Sequence, residues 1–351
     1  MRFLTKMKND RPYIIAGPCS LESEEQILKC AEGISKLGIE VLRAGIWKPR
    51  THPGSFEGIG DIGVKMLKEA ALRYGLKCAT EVANPKHIES ALKGGIDILW
   101  IGARTTGNPF MVSEIASALS GTDIPVMVKN PLNPDIELWC GAIERLARSG
   151  LSNITALHRG FYSYTDGIYR NPPMWHIPVE LRRRFPQMRI ICDPSHICGD
   201  RRLVEEIAQQ AITFGFDGLM VECHPDPERA LSDAGQQVTP QMLGEILSHL
   251  KIPVSTDKEK DFDRMAEELR STIDSLDETL IDILARRMDA VRSIGSLKRK
   301  MGLPVLQPQR WNNVLESALV HAKEHSLDTS FIEKIFTLIH EESMKNQIRQ
   351  S

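Results

Sequence analysis

Ile190-Ile191-Cys192-Asp193-Pro194-Ser195-His196 is a short apolar run that ends abruptly in an acid, a proline, a hydroxyl and an imidazole. A β-branched stretch of this length, closed by proline, reads as a buried strand with its polar residues just past the C-terminal end. The pattern recurs along the first 225 residues. Tyr13–Ala16 ends in Gly17-Pro18-Cys19-Ser20, and Glu40–Leu42 in Arg43, followed by Lys48-Pro49-Arg50-Thr51. Cys78–Thr80 ends in Glu81, Ile98–Gly102 in Arg104, and Val126–Val128 in Lys129. Ile154–Leu157 ends in His158-Arg159 and Leu219–Val221 in Glu222. Helical patterns lie between these runs: Ser23–Leu37, Asp61–Tyr74, Pro85–Leu92, Asp135–Ser149 and Arg201–Phe214, with Gln241–Leu250 closing the series. Such alternation predicts a parallel sheet. Eight strands with chemistry at their C-terminal ends predict an α/β fold, a (β/α)8 TIM barrel whose loops build the site.

Composition narrows the class. A chain of 351 residues exceeds one barrel of about 250 residues and leaves room for a small second domain. A net charge of −2 argues against a general nucleic-acid binder, so the cations matter by position. Charged residues in Met1–Lys6 interrupt any secretory core, and no apolar run reaches membrane-spanning length. The seven Cys then belong to a reducing, cytoplasmic enzyme, with Cys19 available as a thiolate.

The pattern changes near residue 251. A polar linker over 251–261 separates the barrel (1–250) from a helical module (262–351). Met265, Leu269, Ile273, Leu276, Leu280, Leu284, Val291, Ile294 and Leu297 mark one long amphipathic helix. Gly302-Leu303-Pro304 stops it; a second helix spans about Gln307 to Glu324, and Asp328 caps a third that ends near Gln347. Three helices make a poor monomeric core, so a helix this long is expected to pack against a second copy.

Cys19, His196, Glu222 and Asp233 form a candidate metal set. Thiolate, imidazole and carboxylates together suit one divalent ion: Mn²⁺ is the expected occupant, with Fe²⁺, Co²⁺ or Zn²⁺ as alternatives. A single Cys at a strand end is ordinarily core filler, but these ligands sit on strands one, seven and eight, which adjoin once a barrel closes.

At this point the motifs carry a resemblance. Gly17-Pro18-Cys19-Ser20 with Glu22, Lys48-Pro49-Arg50-Thr51, Ile101-Gly102-Ala103-Arg104, Asp193-Pro194-Ser195-His196 and Glu222-Cys223-His224-Pro225 resemble 3-deoxy-D-arabino-heptulosonate 7-phosphate (DAHP) synthase of type Iβ. The resemblance implies condensation of phosphoenolpyruvate with erythrose 4-phosphate, with Cys19, His196, Glu222 and Asp233 on the metal. It implies phosphoenolpyruvate on Arg43, Lys48, Ala103, Arg104, Lys129 and Arg159, with Glu81 nearby, and the tetrose phosphate on Arg50 and Thr51. Lys48 or His196 would move a proton to the new alkoxide. The related 3-deoxy-D-manno-octulosonate 8-phosphate synthases carry a K-A-N-R type loop instead of Lys48–Thr51, which favours the DAHP reading.

In the helical module Arg287 and Lys298 are three turns apart and share a face, whereas Arg270 points elsewhere. Leu269-Arg270, Leu284–Arg287, Gly295–Lys298, Arg310 and Glu341–Gln347 resemble an AroQ-type chorismate mutase, an intertwined homodimer. The resemblance implies that Arg270 of the neighbour, Arg287 and Arg310 hold the carboxylates of chorismate on its way to prephenate. Lys298 and Gln347 would donate to the ether oxygen, with Ser343 assisting. Gln307 and Trp311 stand where relatives usually have Asp and Glu. The resemblance therefore implies that the Glu partner of the substrate hydroxyl is missing and that mutase activity is weaker or uses another donor, with Gln307 kept among the substrate contacts. The chain therefore reads as a bifunctional enzyme of aromatic amino acid biosynthesis, a homodimer with tetramers left open. The alternative makes the helical module a chorismate- or prephenate-sensing regulator of the barrel.

Overall fold

Eight parallel strands pair in chain order and close on themselves: β1 (Tyr13–Gly17), β2 (Val41–Arg43), β3 (Lys77–Val82), β4 (Ile98–Ile101), β5 (Val126–Lys129), β6 (Ile154–His158), β7 (Arg189–Cys192) and β8 (Gly218–Glu222). The structure is a computed structural model describing residues 12–49, 54–164, 167–253, 259–305 and 307–348. Strands β1 and β8 seal the barrel, in register from Tyr13 opposite Gly218 to Gly17 opposite Glu222. That register brings the turn after β1 beside the last residue of β8.

Both faces of the strands are buried, which is why each reads as a continuous apolar run rather than an alternating one. Tyr13, Ile15, Ile98, Trp100, Met127, Leu157, Ile191 and Met220 belong to the cluster inside the barrel; the intervening residues pack outward on the helices. The helices start where their caps dictate: Ser23, Asn84, Asp135 and Thr239 each accept a first-turn N–H. Two helices that the periodicity passes over, Pro109–Leu119 and His176–Arg184, also belong to the fold.

Gly17 fixes how closely β1 and β2 approach. Its φ is 151°, and a Cβ there would lie 2.0 Å from the Arg43 carbonyl oxygen. Only glycine tolerates that contact, and it lets Cys19 sit against the end of β2.

His158 corrects an expectation. Read as part of a charged strand end, it lies inside β6 and is fully buried among Trp139, Phe161, Trp175 and Phe216, whose ring centres are 5.4–6.3 Å away. Burial drives its pKa down to about 3, only partly offset by the Pro173 carbonyl. The unfolded chain takes up this proton below about pH 6.5, so folding loses about 1.4 kcal/mol per pH unit as pH falls from there towards 3. Urea unfolding of the barrel at pH 7 and pH 5 should therefore show a loss smaller by about 2 kcal/mol in His158→Phe than in the wild type. Equal losses would contradict the buried neutral imidazole.

The chain divides into the units Met1–Val254 and Ser255–Ser351. The second contains a long helix, Glu259–Lys300, a middle helix, Pro308–Glu324, and a last helix, Thr329–Ile348. The long helix thus begins inside the stretch read as linker, of which residues 254–258 lie outside the described residues. Asp328 accepts from the Phe331 N–H at 2.9 Å and starts the last helix. That helix packs against both others, and at Gly295 a Cβ would lie 3.0 Å from the Gln347 Cα. Leu269, Ile273, Leu276 and Leu280 of the long helix remain more than half exposed. No described helix is long and apolar enough to cross a membrane.

Candidate active sites

A cavity of about 600 Å³ opens among the strand-end loops, lined by residues that include Lys48, Glu81, Ala103, Arg104, Lys129, Arg159, His196 and Asp233. Each reaches it by its place in the fold. Lys129 ends β5, Arg159 directly follows β6, and Ala103 and Arg104 open the helical turn Ala103–Thr106 after β4. Arg50 and Thr51, expected on the tetrose phosphate, lie outside the described residues.

Arg43, Lys129 and Arg159 are 1%, 3% and 7% exposed, and burial on this scale requires partners. Arg43 donates from Nη1 to Glu222 Oε1 at 2.8 Å and rests 4.8 Å over the Trp100 ring. Lys129 Nζ lies 3.1 Å from Asp193 Oδ2. Arg159 donates to Asn171 Oδ1 at 2.7 Å, while its backbone N–H is fixed by Asn130 Oδ1. Burial brings the Arg159 guanidinium down to about 10, leaving it charged at neutral pH. Glu81 accepts from Trp100 Nε1 at 2.8 Å. Cationic forks held this way leave the cavity ready for phosphate and carboxylate.

The four candidate ligands meet as two pairs rather than one ring. Cys19 Sγ donates to Asp233 Oδ2 at 3.2 Å, and His196 Nδ1 lies 3.7 Å from Glu222 Oε1. Among the described residues no group of three or more donors has metal-holding geometry. Lys48 Nζ is 3.0 Å from Cys19 Sγ, so an ammonium stands beside the thiol. The Cys19 pKa is pushed up to about 12, chiefly by burial and then by Glu222, against the pull of Lys48. The donor chemistry nevertheless fits a divalent ion. Glu222 Oε2 accepts from Gln236 at 2.7 Å, and His196 Nδ1 lies 2.8 Å from Asp193 Oδ2, off a straight hydrogen bond. Carboxylate support of one ring nitrogen is what orients a ligating imidazole.

In the helical unit Arg287 donates to Ser343 Oγ at 2.6 Å, tying the long helix to the last. Burial and the nearby Arg310 lower the Arg287 pKa, a sign of cations gathered without enough anions. Lys298 is buried and donates to the Val305 carbonyl at 2.7 Å. The Gln347 Oε1 is buried with no hydrogen-bond partner among the described residues. Gln307 caps no first-turn N–H through its side chain, and Trp311 stacks on His340 at 4.2 Å. Arg270 stands apart: it is exposed near Glu267, and seventeen residues of helix separate it from Arg287, about 25 Å at the helical rise.

Residues 4–255 match the model of the DAHP synthetase I family. The chain belongs to that family. Residues 269–348 match chorismate mutase type II, so it is a bifunctional enzyme of aromatic amino acid biosynthesis, a DAHP synthase domain followed by a chorismate mutase domain. It is 36% identical over 250 residues to a phospho-2-dehydro-3-deoxyheptonate aldolase from Thermotoga maritima, covering 70% of this chain and 71% of that protein. A crystal structure of that organism's DAHP synthase aligns at TM-score 0.62 and 34% identity, over 74% of this chain and 71% of the other. A 2-dehydro-3-deoxyphosphooctonate aldolase from Geotalea daltonii is 28% identical, over 70% of this chain and 94% of its own length.

Within this DAHP synthase domain the structure adds residues that sequence reading missed. Arg170 donates to Asp233 Oδ1 and to Gln236 Oε1, both at 3.0 Å. Asn171 holds Arg159 and also donates to the His196 carbonyl at 2.7 Å. Both belong to the connection after β6, rich in aromatic residues and glycine, where spacing alone does not show which residue turns inward. Asp193 caps the helical turn Pro194–Cys198, accepting from the His196 N–H at 3.1 Å. Its other oxygen faces Lys129 and the His196 ring.

Proposed function

We propose that the barrel cavity binds phosphoenolpyruvate on Arg104, Lys129 and Arg159, with Arg43 behind them, and condenses it with erythrose 4-phosphate at the Cys19 end. The observation that carries this is two buried cations, Lys129 and Arg159, converging with Arg104 on one cavity edged by imidazole and carboxylates, with the buried Arg43 behind it. The guanidinium forks fix phosphate and carboxylate, so C3 of phosphoenolpyruvate is held at attack distance from the aldehyde. As the C3–C1 bond forms, the aldehyde oxygen becomes an alkoxide; Lys48, lining the cavity beside Cys19, supplies its proton. Water adds at C2 and phosphate leaves by C–O cleavage, its charge met by Arg104, Lys129 and Arg159. Members of this family use a divalent ion; held by Cys19, His196, Glu222 and Asp233, it would supply Lewis-acid polarisation of the aldehyde. Lys48–Thr51 favours the tetrose. The purified chain should consume erythrose 4-phosphate and leave arabinose 5-phosphate untouched; the reverse preference would overturn the assignment.

The mutase reading rests on the Arg287–Ser343 pair, with Lys298 and Gln347 along the same pair of helices. A pericyclic rearrangement needs no nucleophile, only a cationic pocket that favours the compact conformer and the charge developing on the ether oxygen. Arg270 is too far along its helix to serve its own chain's pocket. The exposed row Leu269, Ile273, Leu276 and Leu280 around it is suited to a second copy, which supports a homodimer with Arg270 acting in the partner's site.

A further inference from the structure

We propose that Glu22 is a positioning residue for Asp233, holding in place the candidate metal donor carried by the connection after β8; this rests on the metal reading above. Asp233 belongs to the connection between Cys223 and Val238, whose ends are pinned as a parallel bridge by His224 N–H to Val238 O at 2.9 Å and Val238 N–H to Glu222 O at 3.0 Å. Its middle has no strand to hold it, and Asp233 itself adopts a left-handed backbone, φ 46°, which costs energy for a residue with a Cβ.

What clamps the loop comes from the turn after β1. Glu22, its side chain 9% exposed, accepts the Leu231 N–H on Oε1 at 2.9 Å and faces His224 Nε2 with Oε2 at 3.6 Å. Ser20 Oγ, also within reach of Glu22 at 3.4 Å, makes a short hydrogen bond to Ser232 Oγ. Gln237 completes the clamp, accepting from the Cys19 N–H at 2.9 Å and donating to the Ser232 carbonyl at 2.8 Å. Glu22 therefore grips Leu231 directly, Ser232 by way of Ser20, and faces the base of the same loop at His224, while its own turn carries Cys19. Neither Glu22 nor His224 lines the cavity, so Glu22 acts on the reaction through the residues it positions and not by touching substrate. It converts a loop carboxylate into one fixed relative to the thiol 3.2 Å away. Arg170 grips Asp233 from the other side but is itself half exposed, a weaker anchor than a buried carboxylate on a backbone N–H.

Titrating Mn²⁺ into the full-length chain, with the free ion followed by its electron paramagnetic resonance, tests this. Glu22→Ala should raise the Mn²⁺ Kd about 10–100-fold, the usual range for losing support behind a ligand. KM for phosphoenolpyruvate should hold, because Arg104, Lys129 and Arg159 are untouched. Glu22→Gln keeps an oxygen for the Leu231 N–H and should stay within about threefold of wild type. If Glu22→Ala fails to fold, Ser232→Ala serves: a raised Kd is expected, and a wild-type Kd overturns the proposal. Wild-type Mn²⁺ affinity in a folded Glu22→Ala chain overturns it equally. A wild-type chain that binds no Mn²⁺ instead withdraws the metal reading, and this proposal with it.

Discussion

Cys19→Ala should lose DAHP synthesis by about a thousandfold or more, the several kcal/mol that Lewis-acid polarisation is worth, and remain folded. Cys19 is fully buried, and a thiol that merely filled the core would behave differently. Removing one sulfur from a packed site costs about 1 kcal/mol and leaves turnover nearly intact. The two roles separate because the Cys19 thiol meets the polar groups of Asp233 and Lys48, contacts that a core-filling thiol does not need. Chorismate mutase turnover in the same variant should match wild type, since none of the residues assigned to that activity lies in the barrel. A Cys19→Ala protein that still made DAHP at half the wild-type rate would return this residue to the core.

Arg287→Ala should lower mutase kcat/KM by about 10²–10³, the effect of removing one preorganised donor, and leave DAHP synthesis unchanged. The loss exceeds that of a surface arginine because Arg287 is half-buried and bonded to Ser343, itself 4% exposed. Arg270→Ala should be as damaging although Arg270 is exposed and distant from Arg287 along the helix. Co-expressing the two variants separates the dimer reading from a monomeric site. In a mixed dimer one pocket receives an intact Arg287 from one chain and an intact Arg270 from the other, so random pairing restores about a quarter of wild-type turnover. No recovery would place both arginines in one chain's pocket.

The barrel was legible because parallel strands buried on both faces write themselves as β-branched runs, and because chemistry collects where those runs end. Ile190–His196 alone carries a strand, a helix start and a candidate ligand. Single residues at strand ends, such as Glu81, Lys129 and Arg159, were legible for the same reason: nothing but the cavity explains a charge there. His158 shows where that argument fails. Strand alternation turns neighbouring residues to opposite faces, and His158 turned outward into an aromatic cage while Arg159 turned in. Arg170, Asn171 and the grip of Glu22 on Leu231 were hidden because each depends on how a long connection folds back. Spacing along the chain carries no record of that. The helical unit showed its three helices plainly through their periodicity and breakers, yet its exposed apolar row could be recognised only once the chain's own packing was known.

One chain holds a DAHP synthase domain and a chorismate mutase domain, and the proposed metal serves the barrel site alone. Purified protein dialysed against a chelator should lose DAHP formation, regain it when Mn²⁺ is returned, and convert chorismate to prephenate at the same rate throughout. Undiminished DAHP formation after chelation would contradict the roles given to Cys19, His196, Glu222 and Asp233.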